Sequence, residues 1–220
     1  MERMTTPVRL LLVDDDPLVR AGLAMLLGGD SGIEVVAEAG DGAEVRAAVD
    51  AHHPDVVLMD LRMPQVDGIR ATARLRARPN PPEVVVLTTF DSDDNVLRAL
   101  RAGASGFLVK DAPPEQIVAA VQRVAAGEPI LSSGVLRRLM DSAIDSSGSA
   151  DQARAALSRL SPREREVAVA VGQGQSNAEI AATLLMSMAT VKAHISRILT
   201  KLNLNNRTQV ALLIRDAGLD

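Results

Sequence analysis

Four short apolar runs in the first half of the chain each stop at a polar group suited to phosphate, and this pattern limits the fold more than any other feature. Val8-Arg9-Leu10-Leu11-Leu12-Val13 stops at Asp14-Asp15-Asp16, and Asp55-Val56-Val57-Leu58-Met59 stops at Asp60. Val84-Val85-Val86-Leu87 stops at Thr88-Thr89, and Gly106-Phe107-Leu108-Val109 stops at Lys110. Short β-branched runs separated by helical stretches read as parallel strands buried on both faces. A further strand is expected at 33–37. Helical patterns fall between the strands, at 17–27 and near 43–51, 68–77, 93–102 and 113–126. Five βα units with right-handed crossovers predict an α/β domain with a doubly wound five-stranded parallel sheet. Such a sheet places its ligand site beyond the carboxyl ends of the strands. Asp14, Asp15, Asp60, Thr88 and Lys110 are therefore expected to share one crevice.

The chemistry of that crevice follows from its residue types. Hard cations such as Mg²⁺ take one or two carboxylates and complete their shell with water and phosphate oxygens. Three carboxylates together repel one another, so a cation or Lys110 must lie close if all stay ionised. A metal there balances charge on a phosphoryl group arriving at Asp60, which makes that aspartate a nucleophile. Taken singly, each residue also has an ordinary structural use. Asp16, before Pro17, reads as a helix cap, and Asp67, before Gly68, as a turn or cap residue. Lysine usage points the same way as the spacing. Only Lys110, Lys192 and Lys201 are lysine among 24 basic residues, and one of them falls at the expected phosphate site. A compact ammonium suits a single phosphate oxygen there.

Composition narrows the remaining classes. Cysteine is absent and there are 3 histidines, which removes disulfides, thiolate chemistry and a typical zinc site. No apolar run approaches the roughly 20 residues of a membrane span, and the first residues lack a signal-peptide core, so a cytoplasmic protein with no membrane partner is expected. The net charge of −4 conceals a division. Residues 1–150 hold 15 Lys+Arg against 22 Asp+Glu, or −7, whereas 151–220 hold 9 against 6, or +3. The basic tail is the candidate for a polyanion. Residues 1–128 are expected as one domain, and 129–156 as a linker with a short helix near 135–140 and a flexible stretch at 145–150. Residues 157–220 form the second domain, with four helical patterns and no strand candidate. Ser161-Pro162-Arg163-Glu164 and Ser176-Asn177-Ala178-Glu179 both carry the cap-and-glutamate signal of a helix start.

The run LLLVDDDPLVRAGL, followed by PDVVLMDLRMPQVDG, VVVLTTF and AGASGFLVKDAPPEQ, resembles the receiver domain of bacterial two-component response regulators across residues 8–126. The resemblance implies a flavodoxin-like sheet with strand order 2-1-3-4-5. It implies Asp60 as phospho-acceptor, Asp15 as direct ligand of Mg²⁺, Asp14 as a ligand through water and the main-chain carbonyl of Arg62 as a further ligand. Thr88 then corresponds to the hydroxyl that meets the phosphoryl group and Lys110 to the ammonium contacting it. Phe107 falls at the switch aromatic, which is often Tyr. The partner implied upstream is a sensor histidine kinase.

The tail from Leu160 to Leu219 resembles the NarL/LuxR (FixJ) type of DNA-binding domain, a small four-helix unit with a helix-turn-helix. Residues 177–184 correspond to its scaffold helix, 185–187 to the turn with Ser187 capping, and 189–202 to the recognition helix. Ile180, Ala181, Leu184, Val191, Ile195, Ile198, Leu199 and Leu202 form the expected core face. Lys192, Ala193, Ser196 and Arg197 then point away from it, and with Thr190 and Lys201 they are the expected contacts to double-stranded promoter DNA. Met188 stands where the family usually has an acidic residue, and Asn203 where it usually has glycine. Val210, Leu213 and Ile214 on the last helix are expected to form a homodimer contact.

The expected function is a transcription regulator controlled by phosphorylation of Asp60, and not a turnover enzyme. Aspartate-nucleophile phosphohydrolases form a rival class, but they commonly carry a second Asp two residues after the nucleophile, where this chain has Arg62. A receiver working without phosphorylation is a second rival, which the complete Asp14, Asp15, Asp60, Thr88 and Lys110 set opposes. A ligand-sensing quorum regulator shares the tail but usually has an aromatic-rich pocket. This chain has no Trp or Tyr and 2 Phe.

Overall fold

In the computed structural model the described residues are 6–89, 93–128, 130–131 and 147–219. The chain divides into two compact units, Met1–Val135 and Leu136–Asp220.

The first unit alternates strand and helix. Its strands are β1 (Val8–Val13), β2 (Ile33–Ala39), β3 (Val56–Met59), β4 (Glu83–Thr88) and β5 (Gly106–Val109). The helices are α1 (Pro17–Gly28), α2 (Val45–His52), α3 (Gly68–Arg76), α4 (Asp93–Arg101) and α5 (Pro114–Ala125). The five expected strands are all parallel, and they stand in the order β2-β1-β3-β4-β5 that the family resemblance implies. A sixth two-residue strand, β6 (Ile130–Leu131), pairs in parallel with the open side of β5, Phe107 opposite Leu131. It lies in the stretch expected as linker, and two residues are too few to register as a strand in the sequence. β2 runs two residues past its expected end. A register shift between Leu10 and Leu11 lets Glu38 and Ala39 pair with Leu12 and Val13. Glu38 hid this continuation, because an edge strand with one wet face tolerates a charge.

The buried runs are apolar on both sides because helices cover both faces. Leu10, Leu12, Val56, Leu58, Val85, Leu87 and Leu108 pack against Leu27 of α1 and Ile117, Val121 and Val124 of α5. The alternate residues Leu11, Val13, Val57, Met59, Val84, Val86 and Phe107 are also buried and face the other way, the side covered by α2, α3 and α4. Asp16 caps α1, accepting from the N–H groups of Leu18 at 2.8 Å and Val19 at 3.4 Å, and Asp67 caps α3 through Arg70 N–H at 2.8 Å.

The second unit is helical among the described residues. The four expected helices are present as α7 (Pro162–Gly172), α8 (Asn177–Thr183), α9 (Met188–Leu202) and α10 (Arg207–Asp216), preceded by α6 (Ser147–Leu157). α6 replaces part of the expected flexible stretch. Its Ala153 and Leu157 belong to the core of the unit, which draws an otherwise unremarkable polar sequence into a helix. The helix expected near 135–140 lies outside the described residues. Both cap-and-glutamate signals are capping boxes, Ser161 with Glu164 and Ser176 with Glu179. Asn203 ends α9 in the left-handed conformation, φ 54° and ψ 47°, which asparagine tolerates better than most residues.

One expectation fails here. Val210 and Ile214 are 1% and 0% exposed and belong to the core of their own unit, with Leu213 packed against it. Val210 and Ile214 are therefore not available for a dimer contact. Sequence periodicity finds the apolar face of α10 but not what covers it, and here α7 does, with Gly172 against Ile214. A Cβ at Gly172 would lie 2.4 Å from Ile214 Cγ2 and 2.8 Å from its Cβ. Helix propensity favours Gly172→Ala by up to about 1 kcal/mol, but overlap in a packed core costs about 1–3 kcal/mol. The net expectation is a lower urea midpoint for the helical unit, and an unchanged or raised midpoint would show that Ile214 yields.

Candidate functional site

The crevice assembles at the carboxyl ends of β1, β3, β4 and β5. Asp14 and Asp60 directly follow the last residues of β1 and β3 and are 2% and 5% exposed, while Asp15 is exposed. Asp14 N–H donates to Ala39 O of β2 at 3.1 Å, and Asp60 N–H donates to Val13 O at 2.8 Å, so the sheet ladder itself aims both side chains. One carboxylate oxygen from each of Asp14, Asp15 and Asp60 lies within 4.8 Å of the others. Lys110 reaches over from the end of β5, with its ammonium 2.5 Å from Asp14 Oδ2 and 3.3 Å from Asp60 Oδ1. The backbone of Lys110 is tied to the same edge, its N–H donating to Thr88 O at 2.8 Å. Thr88 is buried at the end of β4, and Phe107 is 1% exposed on β5.

The electrostatics of the cluster are mutual. Burial pushes the Asp60 carboxyl above the usual carboxylate value and the neighbouring Asp14 adds to this. The Lys110 charge and the hydrogen bond from Arg62 N–H oppose it. Burial by itself disfavours the ammonium of Lys110, but the two carboxylates outweigh it and hold its pKa above the ordinary lysine value. Asp60 thus sits where added positive charge or esterification relieves a desolvated anion.

The second unit carries an exposed polar face on α9. Ser187 caps α9 through Thr190 N–H at 3.1 Å, which sets the turn between α8 and α9. Ile180, Val191 and Ile198 are fully buried, and Ala181, Leu184, Ile195, Leu199 and Leu202 pack around them. Thr190, Lys192, Ala193, Ser196 and Arg197 are all exposed on α9. Lys201 is exposed too, but its ammonium donates to the carboxylate of Glu164 at 2.7 Å. That bond, with the Ser161 N–H bond of the capping box, holds the Glu164 carboxyl down to about 2.

With these geometries in hand, likeness to known proteins is specific. Residues 10–122 match the response regulator receiver domain, and residues 158–214 match the bacterial regulatory proteins of the luxR family. The chain is 40% identical over 206 residues to the transcriptional regulatory protein LiaR of Bacillus subtilis, covering 93% of this chain and 95% of that protein. It is 38% identical over 205 residues to the transcriptional activator DevR/DosR of Mycobacterium tuberculosis, covering 93% of each. The crystal structure of ChrA, the response regulator of a heme-sensing two-component system, superposes with a TM-score of 0.54 at 38% identity, covering 98% of this chain and all of that one. This chain belongs to the two-component response regulators with a LuxR-type DNA-binding domain.

Within this response regulator some residues escaped the sequence reading. Asp41, in the turn after β2, is a buried carboxylate that accepts from the N–H groups of Ala43, Gln65 and Val66, bridging two loops. These bonds outweigh burial and hold its carboxyl below the usual value. Arg207 is buried at the start of α10, donating to Asn177 Oδ1 at 2.9 Å and Gln175 O at 2.6 Å, so it anchors the start of α8. Asp41-Gly42 carries a turn signal, but nothing local in either sequence names a partner some 24 to 32 residues away.

The Glu164–Lys201 pair ties α7 to the end of the recognition helix and has a definite pH signature. A carboxyl depressed in the folded state adds stability above its unfolded pKa near 4.5, and this is lost as pH falls toward 2. Lys201 is half-exposed, so screening reduces the contribution to about 1–2 kcal/mol. Glu164→Gln is expected to lower stability by that amount at pH 7, with the gap to wild type closing between about pH 4.5 and 2 in urea titrations. A gap independent of pH would remove the ion pair as its cause.

Proposed function

We propose that this response regulator is switched by phosphorylation of Asp60 from a sensor histidine kinase, with Mg²⁺ bound beside it, and that the modified form binds promoter DNA as a homodimer. The observation carrying this reading is the convergence of Asp14, Asp15 and Asp60 within 4.8 Å under the Lys110 ammonium. The donor set fits a hard divalent cation, being all oxygen and partly open to water at Asp15. Asp14, Asp15, Asp60 and the main-chain carbonyl of Arg62 would hold it. When bound, the cation neutralises charge on the incoming phosphoryl oxygens.

The chain's own groups do the rest. A carboxylate oxygen of Asp60 attacks phosphorus, and the bond from phosphorus to the donor's imidazole nitrogen breaks, which leaves an acyl phosphate on Asp60. Lys110, already between Asp14 and Asp60, turns to the new phosphoryl oxygens as an ammonium. Thr88 supplies a hydroxyl at the neighbouring strand end, and Phe107, buried on β5, answers the movement of Thr88. As phenylalanine it responds by packing alone, since it has no phenol to hydrogen-bond. In the second unit, Lys192 and Arg197 meet DNA phosphate while Thr190, Ala193 and Ser196 meet base edges. Lys201 joins them through the N–H groups that Glu164 leaves free.

Asp60→Ala is expected to abolish base-labile, hydroxylamine-sensitive labelling of the chain by a radiolabelled small acyl phosphate in the presence of Mg²⁺. Labelling at the wild-type rate would refute the assignment. For the DNA face, Lys192→Ala is expected to weaken binding about equally on all sequences and to reduce the slope of log affinity against log salt by about 1. An unchanged slope would place Lys192 away from phosphate.

A further inference from the structure

We infer that Asp41 is a positioning residue of the phosphorylation pocket, its buried carboxylate fixing the Gln65–Val66 turn and thereby the loop that presents the Arg62 carbonyl to a divalent cation. The inference rests on the proposed Mg²⁺ reading of Asp14, Asp15 and Asp60 and adds to it a residue two strands away. Asp41 follows β2 at the edge of the sheet, with β1 between it and β3. Its Oδ1 accepts from Ala43 N–H at 2.8 Å and Val66 N–H at 3.1 Å, and its Oδ2 accepts from Gln65 N–H at 2.8 Å. Bonds from N–H groups to an ionised carboxylate are roughly twice as strong as neutral ones.

The loop from Leu61 to Asp67 has little other freedom. It begins with Arg62 N–H donating to Asp60 Oδ2 at 3.1 Å and ends with Gly68 N–H donating to Leu61 O at 2.9 Å. A Cβ at Gly68 would lie 2.1 Å from Asp60 O, so loop and acceptor are in direct contact there. A Cβ at Gly42 would lie 2.3 Å from Val66 O, so the Asp41-Gly42 turn touches the loop with backbone as well as side chain. On another side, Arg62, Met63 and Pro64 line a cleft of about 530 Å³ together with Asp15. The loop therefore stands between the Asp41 clamp and the cleft that Arg62 shares with a proposed metal ligand. If the clamp is loosened, the Arg62 carbonyl loses its fixed position while the three carboxylates keep theirs.

The test uses the full, unphosphorylated chain. Calorimetric titration with MgCl₂ measures cation affinity, and amide hydrogen exchange reads the protection of Gln65 and Val66. Partners that orient metal ligands typically change affinity 10–100-fold when removed. Asp41→Ala is expected to weaken Mg²⁺ binding about tenfold, with faster exchange at Gln65 and Val66. Asp41→Asn keeps the two bonds at Oδ1 and loses the one from Gln65, so about a threefold loss is expected. This isosteric variant decides the matter if Asp41→Ala fails to fold. Asp15→Asn is titrated alongside and is expected to lose most of the binding heat. Wild-type Mg²⁺ affinity in folded Asp41→Asn and Asp41→Ala, with exchange at Gln65 accelerated, would overturn the positioning role and leave the metal reading intact. Equal titrations of wild type and Asp15→Asn would instead defeat the metal reading itself, and the positioning role with it.

Discussion

Burial of β1, β3 and β4 on both faces is the constraint from which the first unit follows. The stretch of a strand covered by helices on each side has no room for a charge, and the charged Arg9 of β1 and Glu83 of β4 stand in the half-buried starts of their strands. Polar groups are expelled to the strand ends, and parallel orientation gathers all carboxyl ends on one edge. Asp14 and Asp60 stand one residue past the last apolar side chain of adjacent strands, and the ladder bonds from their own N–H groups fix their direction. The same logic explains why the crevice is made of residues far apart in the chain. Each βα unit contributes one end, and the sheet order decides which ends are neighbours.

Crowding of carboxylates then determines the electrostatics. Asp14 and Asp60 are nearly buried and repel each other, which is tolerable because the Lys110 ammonium is shared between them. This arrangement holds two states in reserve. Lysine balances the pocket as it stands, and under the proposed function a phosphoryl group with a cation would redistribute that charge. The Lys110 backbone is bonded to Thr88, and Phe107 lies on the same strand. The edge beside Asp60 is thus continuous along β4 and β5. β6 continues that edge, pairing with β5 at Phe107.

The second unit repeats the lesson with different forces. Its helices start where serine caps start them, and its recognition helix buries Val191 and Ile198 and exposes Lys192, Ala193, Ser196 and Arg197 as the 3.6-residue period requires. What holds the helices to one another is less visible in sequence. Glu164 is spelled as a capping residue, yet it also receives Lys201 from the far end of α9. Arg207 follows two asparagines with no local signal of burial, yet it is buried against α8. The apolar stripe of α10 suggests an interface between copies, because such a stripe looks the same whether its cover is another chain or a neighbouring helix.

Sequence by itself determined the elements, the strand-end residues and the exposed face of the recognition helix. Each of these depends on local spacing, capping or the period of a single element. The resemblance supplied the strand order, which local patterns leave open. Tertiary structure alone decided the contacts that join loops and helices across long separations. Among these are Asp41 on Gln65 and Val66, Lys201 on Glu164, Arg207 on Asn177, the pairing of β6 with β5, and Ile214 against Gly172. Such contacts depend on where the chain returns to itself, and hydrophobic periodicity carries no record of which distant segment will arrive.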